Sequence, residues 1–515
     1  MPVTASGAGR GVAGGAAAAC RVLPGSAAAA ATRCVAAKRR VLASPAAARL
    51  PAPTHVQRLH VRCQAASETA PAASSSKKAS HAVVIGAGLA GLTAAKALAA
   101  HFQTVTVLER DEWTANVAEG SDRRPGVPQF QQPHVLLARG LQALDSLLGD
   151  FRGALRDNDF TVFDYGQRFT KEDTDVTGVL ATRALVEQTA RSMLLSQEPG
   201  VSLRSGARVA GLALEEAGAG GKRVADAGRA AGRGVRLKDG TTLPAELVVD
   251  ASGRSSHSAD WLAEAGLQRP PTLEVDAKLG YATPLYERPA NYKGPLAALV
   301  GGRPWYSRGA VLIPVEGNRW QLILGGYAGG QGCEAAHYHL PLPGHPQPAP
   351  AVDMPPGFIV MGDACVAFNP IYGQGITVGV MEAEALQQLL DERVAAAGST
   401  AAALAGVPAA RGGHRGDAWT LAVSEDSKWE VAEANYAVPQ TAQLFRPYFG
   451  AVAVAASQDK KVLVEYVKVM HMLRPPTAFF SPRMLLGALW YGLLEPWLAR
   501  LPLVGRWYQP QVQAS

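Results

Sequence analysis

The 515-residue chain has few cysteines, no long apolar run and, at one end, no acidic residues. Only Cys333 and Cys365 of the five cysteines lie after Cys63, which excludes a disulfide framework or a cysteine metal cluster in the folded part. No clean run of about 18 apolar residues occurs, which argues against a spanning helix. Residues 1–67 hold the basic excess behind the net charge of +7, so that charge does not indicate nucleic-acid binding.

The N-terminal segment is rich in alanine and arginine and has no acid before Glu68. Such a leader is typical of an organelle transit peptide, and Val61–Ala66 resembles plastid processing sites of green algae. We therefore expect a transit peptide over 1–63 and a polar linker over 64–80. The expected location is the chloroplast, in the stroma or peripheral to the thylakoid or envelope, ahead of the mitochondrion. A disordered tail is the alternative.

A dinucleotide-binding pattern follows the linker. The apolar run His81–Ile85 predicts a buried strand, and Gly86–Gly91 has the sequence GAGLAG. Leu92–Leu98 then predicts a helix, and Thr104–Leu108 predicts a second strand that ends in Glu109. The complete strand, glycine turn, helix, strand and acid favour nucleotide binding over an ordinary turn.

Each position of this pattern has a physical task. Gly86 permits the tight turn, and Gly88 lets a pyrophosphate approach the backbone. Gly91 lets the helix pack close to the strand, with its N-terminal N–H groups directed at the phosphates. Glu109 is placed to accept hydrogen bonds from the ribose hydroxyls. The pattern alone does not distinguish FAD from NAD.

A second glycine-rich region lies far along the chain. Phe358–Met361 predicts a buried strand that leads into Gly362-Asp363, and Pro370–Gly375 opens a helix whose apolar face recurs over 376–390. An Asp at a strand end can accept a hydrogen bond from a ribityl hydroxyl. The helix terminus offers N–H groups and a positive dipole end, which suit an anionic reduced flavin.

Together these motifs resemble the FAD-dependent monooxygenases of the para-hydroxybenzoate hydroxylase class, in their bacterial-type branch. The resemblance implies FAD as cofactor, NAD(P)H as electron donor and oxygen chemistry through a flavin C4a-hydroperoxide. It places Pro370, Gly373 and Gly375 at the reactive edge of the flavin. The FAD-binding residues that it implies in this region are Gly362, Asp363, Gly373, Gln374 and Gly375.

The same resemblance assigns FAD contacts in the middle of the chain. Arg139, in the stretch Gln132–Gly140, lies near the pyrophosphate in that branch. Further contacts are implied for Arg110, Arg183, Val209 and Asp250. Ion pairing is the alternative for Arg139 and Arg183, and core packing is the alternative for Val209. Asp250-Ala-Ser-Gly-Arg254 departs from the usual Asp-Gly signature, so the NAD(P)H donor stays open.

The segment between the two glycine regions predicts the substrate site. Lys278–Glu287, 310–315 and 319–325 read as strands of a sheet that roofs the flavin in similar enzymes. Trp305, Tyr306 and Trp320 are candidates for a cavity lining, with ordinary sheet packing as the alternative. Gln331–Pro350 reads as a loop or a gap in the gene model, and its three histidines have no metal-ligand spacing.

The expected fold is α/β. A Rossmann-type, glutathione reductase-like FAD-binding domain carries an inserted, mainly antiparallel substrate domain and is followed by a helical C-terminal region. The predicted boundaries are 81–260 and 353–395 for the FAD-binding domain, 261–352 for the substrate sheet, and 396–515 for a surface loop and the C-terminal helices. Stretches 217–234 and 395–416 read as surface insertions.

We expect hydroxylation or epoxidation of an aromatic, quinone or isoprenoid compound. A flavin halogenase is disfavoured, because Leu312-Ile313-Pro314 lacks the tryptophan pair of its signature. A prenyl reductase, a carotenoid cyclase or de-epoxidase-like enzyme, and a catalytically impaired flavoprotein remain as alternatives. The apolar stretch Met484–Leu494 is too short to span a bilayer. Docking on the protein is preferred there over a peripheral membrane contact through 484–508.

Overall fold

The computed structural model describes part of the chain: residues 78–113, 124–127, 132–156, 161–164, 174, 176–213, 234–293, 297–300, 308–327, 336–338, 354–404, 413–429, 431–436 and 445–498. The chain divides into two units, residues 1–73 and 74–515, and all described residues lie in the second. The predicted transit peptide, nearly all of the linker, the 217–233 stretch, Trp305, Tyr306, His339 and His345 lie outside the described residues.

Twenty strands and twelve α-helices are formed by the described residues. The strands are β1 Ala79–Ile85, β2 Phe102–Leu108, β3 Pro133–Leu136, β4 Thr161–Asp164, β5 Thr177–Thr182, β6 Val201–Arg204, β7 Val209–Ala213, β8 Gly234–Leu237, β9 Thr242–Pro244, β10 Leu247–Asp250, β11 Leu273–Asp276, β12 Leu279–Ala282, β13 Leu285–Glu287, β14 Ala298–Val300, β15 Arg308–Val315, β16 Arg319–Tyr327, β17 Ala336–Tyr338, β18 Phe358–Val360, β19 Val366–Ala367 and β20 Glu433–Ala434. The helices are α1 Leu89–Ala99, α2 Ala138–Leu148, α3 Phe151–Arg156, α4 Arg183–Gln197, α5 Ser258–Glu264, α6 Gln374–Ala397, α7 Thr400–Leu404, α8 Gly413–Asp426, α9 Arg446–Gln458, α10 Lys460–Met470, α11 Pro482–Gly487 and α12 Glu495–Leu498.

A five-stranded parallel sheet organises the site. Its order is β18-β10-β1-β2-β6, and every neighbouring pair is parallel. Ile85 is in register with both Leu108 and Asp250, and Asp250 is in register with Val360. The strand ends therefore lie at one edge, where ligands bind in open parallel sheets.

Apolar side chains cover this sheet on both faces, as the continuous hydrophobic runs predict. Val84, Leu92 and Leu98 belong to one buried cluster, which also includes Leu386 and Leu390 on one face of α6. Val83, Val248 and Phe358 belong to a second cluster with residues of α8. The helices α1 and α6 pack against each other, so the two glycine regions lie side by side.

Antiparallel sheets complete the architecture. The order β12-β16-β15-β14, with β13 on β16, forms the predicted substrate-domain sheet. Gly317 and Asn318 have positive φ in the turn between β15 and β16, as a hairpin requires. The remaining orders are β19-β17-β11-β20, β3-β5-β4 and β7-β8-β9. Parallel sheet, antiparallel sheets and C-terminal helices confirm the predicted fold class.

Three local predictions are wrong. The single strand expected over 278–287 is two strands, because Pro284 between β12 and β13 has no N–H to donate. The expected loop Gln331–Pro350 contains β17, which pairs with β11 and β19. The expected surface insertion 395–416 contains α7, because alanine and leucine favour a helix and Leu404 is buried.

The C-terminal helices form their own buried cluster, which includes Val452, Val462 and Met484. A Cβ on Gly487 would lie 2.9 Å from Val462 Cγ2, and one on Gly492 would lie 2.3 Å from Ala451 Cβ. The stretch 482–498 is therefore docked closely on α9 and α10, as its preferred interpretation predicts. Among the described residues, no helix is sufficiently long and apolar to cross a bilayer.

Candidate functional site

The first glycine turn leaves a helix N-terminus open. Gly86 has a φ of +96°, and a Cβ on Gly91 would lie only 1.9 Å from the carbonyl oxygen of Gly86. Only glycine lets α1 start so close to β1. Gly88 is the N-cap of α1, where no side chain caps the helix and the first turn has no acidic residue. Its first N–H groups are therefore available to an anion.

A second helix N-terminus lies beside the first. Gly373, with a φ of +65°, is the N-cap of α6, where again no side chain caps the helix and no acid lies in the first turn. A Cβ on Gly362 or on Gly379 would lie 2.9 or 3.0 Å from Ala90 Cβ. Glycine at these two positions thus lets α1 lie in contact with the turn after β18 and with α6.

Both turns line a cavity of about 570 Å³, which we call the first cavity. Its size is within the range of ligand pockets. The predicted cofactor-binding residues in its wall are Gly86, Gly88, Glu109, Arg110, Arg183, Val209, Gly362, Asp363 and Gly375. Residues that follow β1, β2, β5 and β18, together with Val209 at the start of β7, thus line one space.

Some predicted residues do not line the first cavity. Gly91 acts through packing, as described above. Asp250 is fully buried beneath the next turn and accepts hydrogen bonds from Ser252 N at 2.9 Å and Ser256 Oγ at 2.6 Å. Burial raises the pKa of Asp250 above its ordinary value. Arg139 does not line the first cavity, and its guanidinium pairs with Glu384 on α6.

The carboxylate of Glu109 is part of a buried ionic cluster. Its Oε2 accepts hydrogen bonds from Ala87 N at 3.0 Å and from Arg124 Nη2, and its Oε1 accepts one from Asp111 N at 3.0 Å. Arg124 also donates to Glu187, and its Nε lies 3.6 Å from Asp111 Oδ2. Arg124 therefore joins three carboxylates at the edge of the cavity.

Arg183 completes this ionic cluster from the start of α4. Its Nε donates to Glu187 Oε1 at 2.7 Å. Burial by itself would raise the pKa of Glu187, but the charges of Arg183 and Arg124 outweigh it and hold that pKa below its ordinary value. Glu187 is therefore ionised at neutral pH, and both arginines are fixed by it.

A second cavity, of about 360 Å³, adjoins the first. The two share five wall residues, Arg183, Arg254, Asp363, Gly375 and Ile376. Pro370 and Gly373 line the second cavity and Gly375 lines both, so the predicted reactive-edge residues lie at the second cavity and at its junction with the first. Apolar side chains of the substrate-domain sheet form the far wall: Leu279, Leu299, Val300, Val311, Ile313 and Ile323. Trp320 is not among the lining residues, because it packs edge-on against Tyr292 at 4.6 Å.

The turn before α6 is held from the C-terminal side of the chain. Asp426, the last residue of α8, accepts hydrogen bonds from Asn369 Nδ2 and from the Tyr372 hydroxyl, each at 2.7 Å. Asp426 is fully buried, and burial raises its pKa to about 6. One carboxylate thus fixes both ends of the turn that carries Pro370.

Gln374, a further predicted contact, is buried just after Gly373 and lines neither cavity. Its Oε1 has no hydrogen-bond partner among the described residues. The sequence interpretation did not find Arg124, Glu187 or Asp426 as site residues. Arg124 is separated from Glu187 by 63 positions, so no spacing pattern connects them. Their charge gave no signal, because Arg124 follows Arg123 and Asp426 follows Glu425 in polar stretches.

We predict that Arg124→Met is strongly destabilising. The substitution keeps the bulk but leaves Glu109 and Glu187 without their shared cation, which costs about 3 kcal/mol or more for buried carboxylates. The free energy of unfolding, measured by urea titration, checks this. The matched control is Arg204→Met, because Arg204 pairs with Asp239 at the surface. That variant is expected to lose less than about 1 kcal/mol, and equal losses in the two would contradict the importance of the cluster.

Part of this chain is similar to known proteins. A family model described as NAD(P)-binding Rossmann-like domain matches residues 84–140. "Protein Rv3254" of Mycobacterium tuberculosis is 28% identical over 373 residues, which are 61% of this chain and 73% of that protein.

Similar solved structures share lower identity. They include 2-methyl-3-hydroxypyridine-5-carboxylic acid oxygenase (18% identical, 64% of this chain and 86% of the other, TM-score 0.45) and PqsL, a probable FAD-dependent monooxygenase from Pseudomonas aeruginosa (16%, 68% and 97%, TM-score 0.44). The Diels-Alderase PyrE3 is also similar (14%, 76% and 80%, TM-score 0.47). The family model covers the first glycine turn and Glu109, so this part of the chain is similar to NAD(P)-binding Rossmann-like domains.

Proposed function

We propose that this chain is an FAD-dependent enzyme, an NAD(P)H-dependent monooxygenase that hydroxylates or epoxidises an aromatic, quinone or isoprenoid compound. The observation that carries the proposal is the junction of two cavities at Asp363, Gly375 and Ile376. The first has the anion-binding helix termini and the carboxylate of a dinucleotide site, and the second is apolar. A site for NAD alone would leave the second glycine region, Gly362–Gly375, without a role.

The described residues fit FAD along the first cavity. The wall at Val209 suits adenine, and the open N-terminus of α1 at Gly88 suits the pyrophosphate. Ser252 also lines this cavity, and its buried Oγ has no partner among the described residues. Asp363 is placed for a ribityl hydroxyl, and the N-terminus of α6 at Gly375 suits the anionic edge of a reduced flavin.

Bound FAD would supply hydride acceptance from NAD(P)H and activation of oxygen. The residues of this chain have the tasks of binding, orienting and excluding water. The apolar wall at Val311, Ile313 and Ile323 keeps water from the reacting face. Asp426 holds the turn that carries Tyr372 against the substrate space.

A second candidate is a flavin-dependent prenyl reductase, or a carotenoid cyclase or de-epoxidase-like enzyme. The observation that favours it is the same apolar cavity, which suits an isoprenoid chain as well as an aromatic ring. Such an enzyme uses reduced flavin without inserting oxygen. A catalytically impaired flavoprotein would bind FAD and have no turnover.

We expect the purified protein to show a flavin spectrum and to consume NADPH or NADH with equimolar oxygen when given a quinone or isoprenoid substrate. Turnover without oxygen would favour the reductase or cyclase instead. Bound FAD with no turnover on any candidate would favour the impaired flavoprotein, and a colourless protein that does not take up FAD would refute the whole proposal.

Gly88→Val is the variant that separates cofactor binding from folding. A Cβ at Gly88 meets only Arg183 Nη2, at 3.4 Å, and Glu187 Oε1, at 3.7 Å, so the fold tolerates it. The added methyl groups would occupy the space proposed for the pyrophosphate. We expect a melting temperature without ligand within about 3 °C of the parent and a loss of FAD affinity of about 100-fold or more. Gly280→Val, where a Cβ meets nothing within 4 Å, is the control and should keep the flavin.

For its location, we propose import into the chloroplast, supported by the acid-free leader. Residues 1–63 fused to a fluorescent protein should direct it to the plastid. Accumulation in mitochondria or in the cytosol would contradict this proposal.

We further propose that the stretch 482–498 contacts a membrane surface. Its inner side is docked on the protein, whereas its outer side exposes six large apolar residues: Leu485, Leu486, Leu489, Trp490, Leu494 and Trp497. Glu495 is the only acidic residue after Glu465. Four arginines lie within this stretch or beside it: Arg474, Arg483, Arg500 and Arg506. An apolar stripe with tryptophans and flanking arginines suits an anionic lipid surface.

The double substitution Leu486→Ser/Trp490→Ser tests this contact. We expect the parent to sediment with phosphatidylglycerol-containing vesicles. The variant should bind them at least about tenfold more weakly, because two exposed apolar groups are lost. The control is Leu195→Ser on α4, a residue of similar exposure at 43%. A dimer in which this stripe is covered, with no vesicle binding, would refute the membrane contact.

A further inference from the structure

One side of the second cavity is polar although most of its wall is apolar. Gln132 and His134, at the start of β3, both line it. The Nδ1 of His134 lies 2.8 Å from the carbonyl oxygen of Gln132. A carbonyl oxygen can only accept, so Nδ1 carries the proton.

His134 is also held neutral. Burial, and after it the positive charge of Arg183, lower the pKa of its imidazole to about 3. With Nδ1 protonated and the ring neutral, Nε2 is a hydrogen-bond acceptor. No described residue donates to it.

Gln132 adds a second acceptor. Its side-chain Oε1 is buried and has no hydrogen-bond partner among the described residues. A buried polar atom without a partner is costly, so it indicates a missing donor. The side chains of Gln132 and His134, two residues apart in sequence, therefore both lie at the wall of the same cavity.

Four other polar groups of this cavity have partners within the protein. Arg183 Nε donates to Glu187, and Arg254 donates to the carbonyl oxygen of Phe368. Asn369 and Tyr372 both donate to Asp426. Each arginine thus has an acceptor within the protein, and the charge of Arg183 is paired with that of Glu187.

We infer that Gln132 and His134 form a recognition pair for a hydroxyl group on an uncharged, apolar substrate. His134 Nε2 accepts the hydroxyl hydrogen, and the side-chain amide of Gln132 binds the same group or a second one. The apolar wall at Leu279, Val311 and Ile323 holds the rest of the molecule. This inference rests on the proposed function in treating the second cavity as the substrate site.

Calorimetric titration of the full protein with four ligands of one size tests the pair. The probes are 4-butylphenol, 4-butylcyclohexanol, 4-butylanisole and 4-butylbenzoate, which differ in the polar group. We expect one or both hydroxyl compounds to bind about tenfold or more tightly than the ether and the carboxylate, because only they donate to the two acceptors. The tighter of the two hydroxyl ligands identifies an aromatic or an aliphatic substrate class.

Two variants assign the preference to the residues. His134→Phe and Gln132→Met keep shape while removing the acceptors. Each should weaken binding of the preferred hydroxyl ligand about tenfold and leave 4-butylanisole unchanged. An equal loss for all ligands would mean a packing role and would overturn the inference.

The inference is also overturned if ether and hydroxyl ligands bind the parent equally, if 4-butylbenzoate binds best, or if none of the four binds. The flavin spectrum of the same preparation is a separate measurement. A colourless protein that still prefers a hydroxyl ligand would uphold the pair and refute the FAD enzyme.

Discussion

The site depends on two helix N-termini that no side chain caps. At Gly88 and at Gly373 the backbone N–H groups of a first turn face a cavity, and neither first turn contains an acid that would satisfy them. Such groups are costly when removed from water without an acceptor. The two helices reach this position because Gly362 and Gly379 let the backbone approach Ala90. The geometry therefore favours the binding of anionic ligand groups at two neighbouring points.

The ionic cluster at the edge of the first cavity holds the carboxylate of Glu109. Glu109 is almost completely buried. Its carboxylate is held by Arg124 and by two backbone N–H groups, those of Ala87 and Asp111, and Glu187 fixes Arg124 in turn. A buried network of this kind contributes orientation more surely than net stability, because desolvation offsets much of its attraction. The cluster therefore holds the Glu109 carboxylate in one orientation at the wall of the first cavity.

The sequence predicted what depends on local patterns. Gly86, Gly91 and Glu109 were assigned from spacing along one strand–helix–strand unit, and the parallel sheet followed from buried apolar runs. Long-range partners could not be predicted, because Arg124 and Glu187 meet only through the fold. The strand β17 was missed since three residues give too short a pattern, and it exists only because β11 and β19 offer edges on both sides.

The two cavities differ in which parts of the fold form their walls. The wall of the first cavity comes from turns after β1, β2, β10 and β18, and hydrogen bonds such as that from Ala87 N to Glu109 Oε2 join neighbouring turns. A molecule that touches all of these turns binds only the folded chain, so its binding energy adds to stability. The second cavity draws its apolar far wall from an antiparallel sheet whose strands pair with one another. A ligand that binds there is therefore not required to hold that wall together.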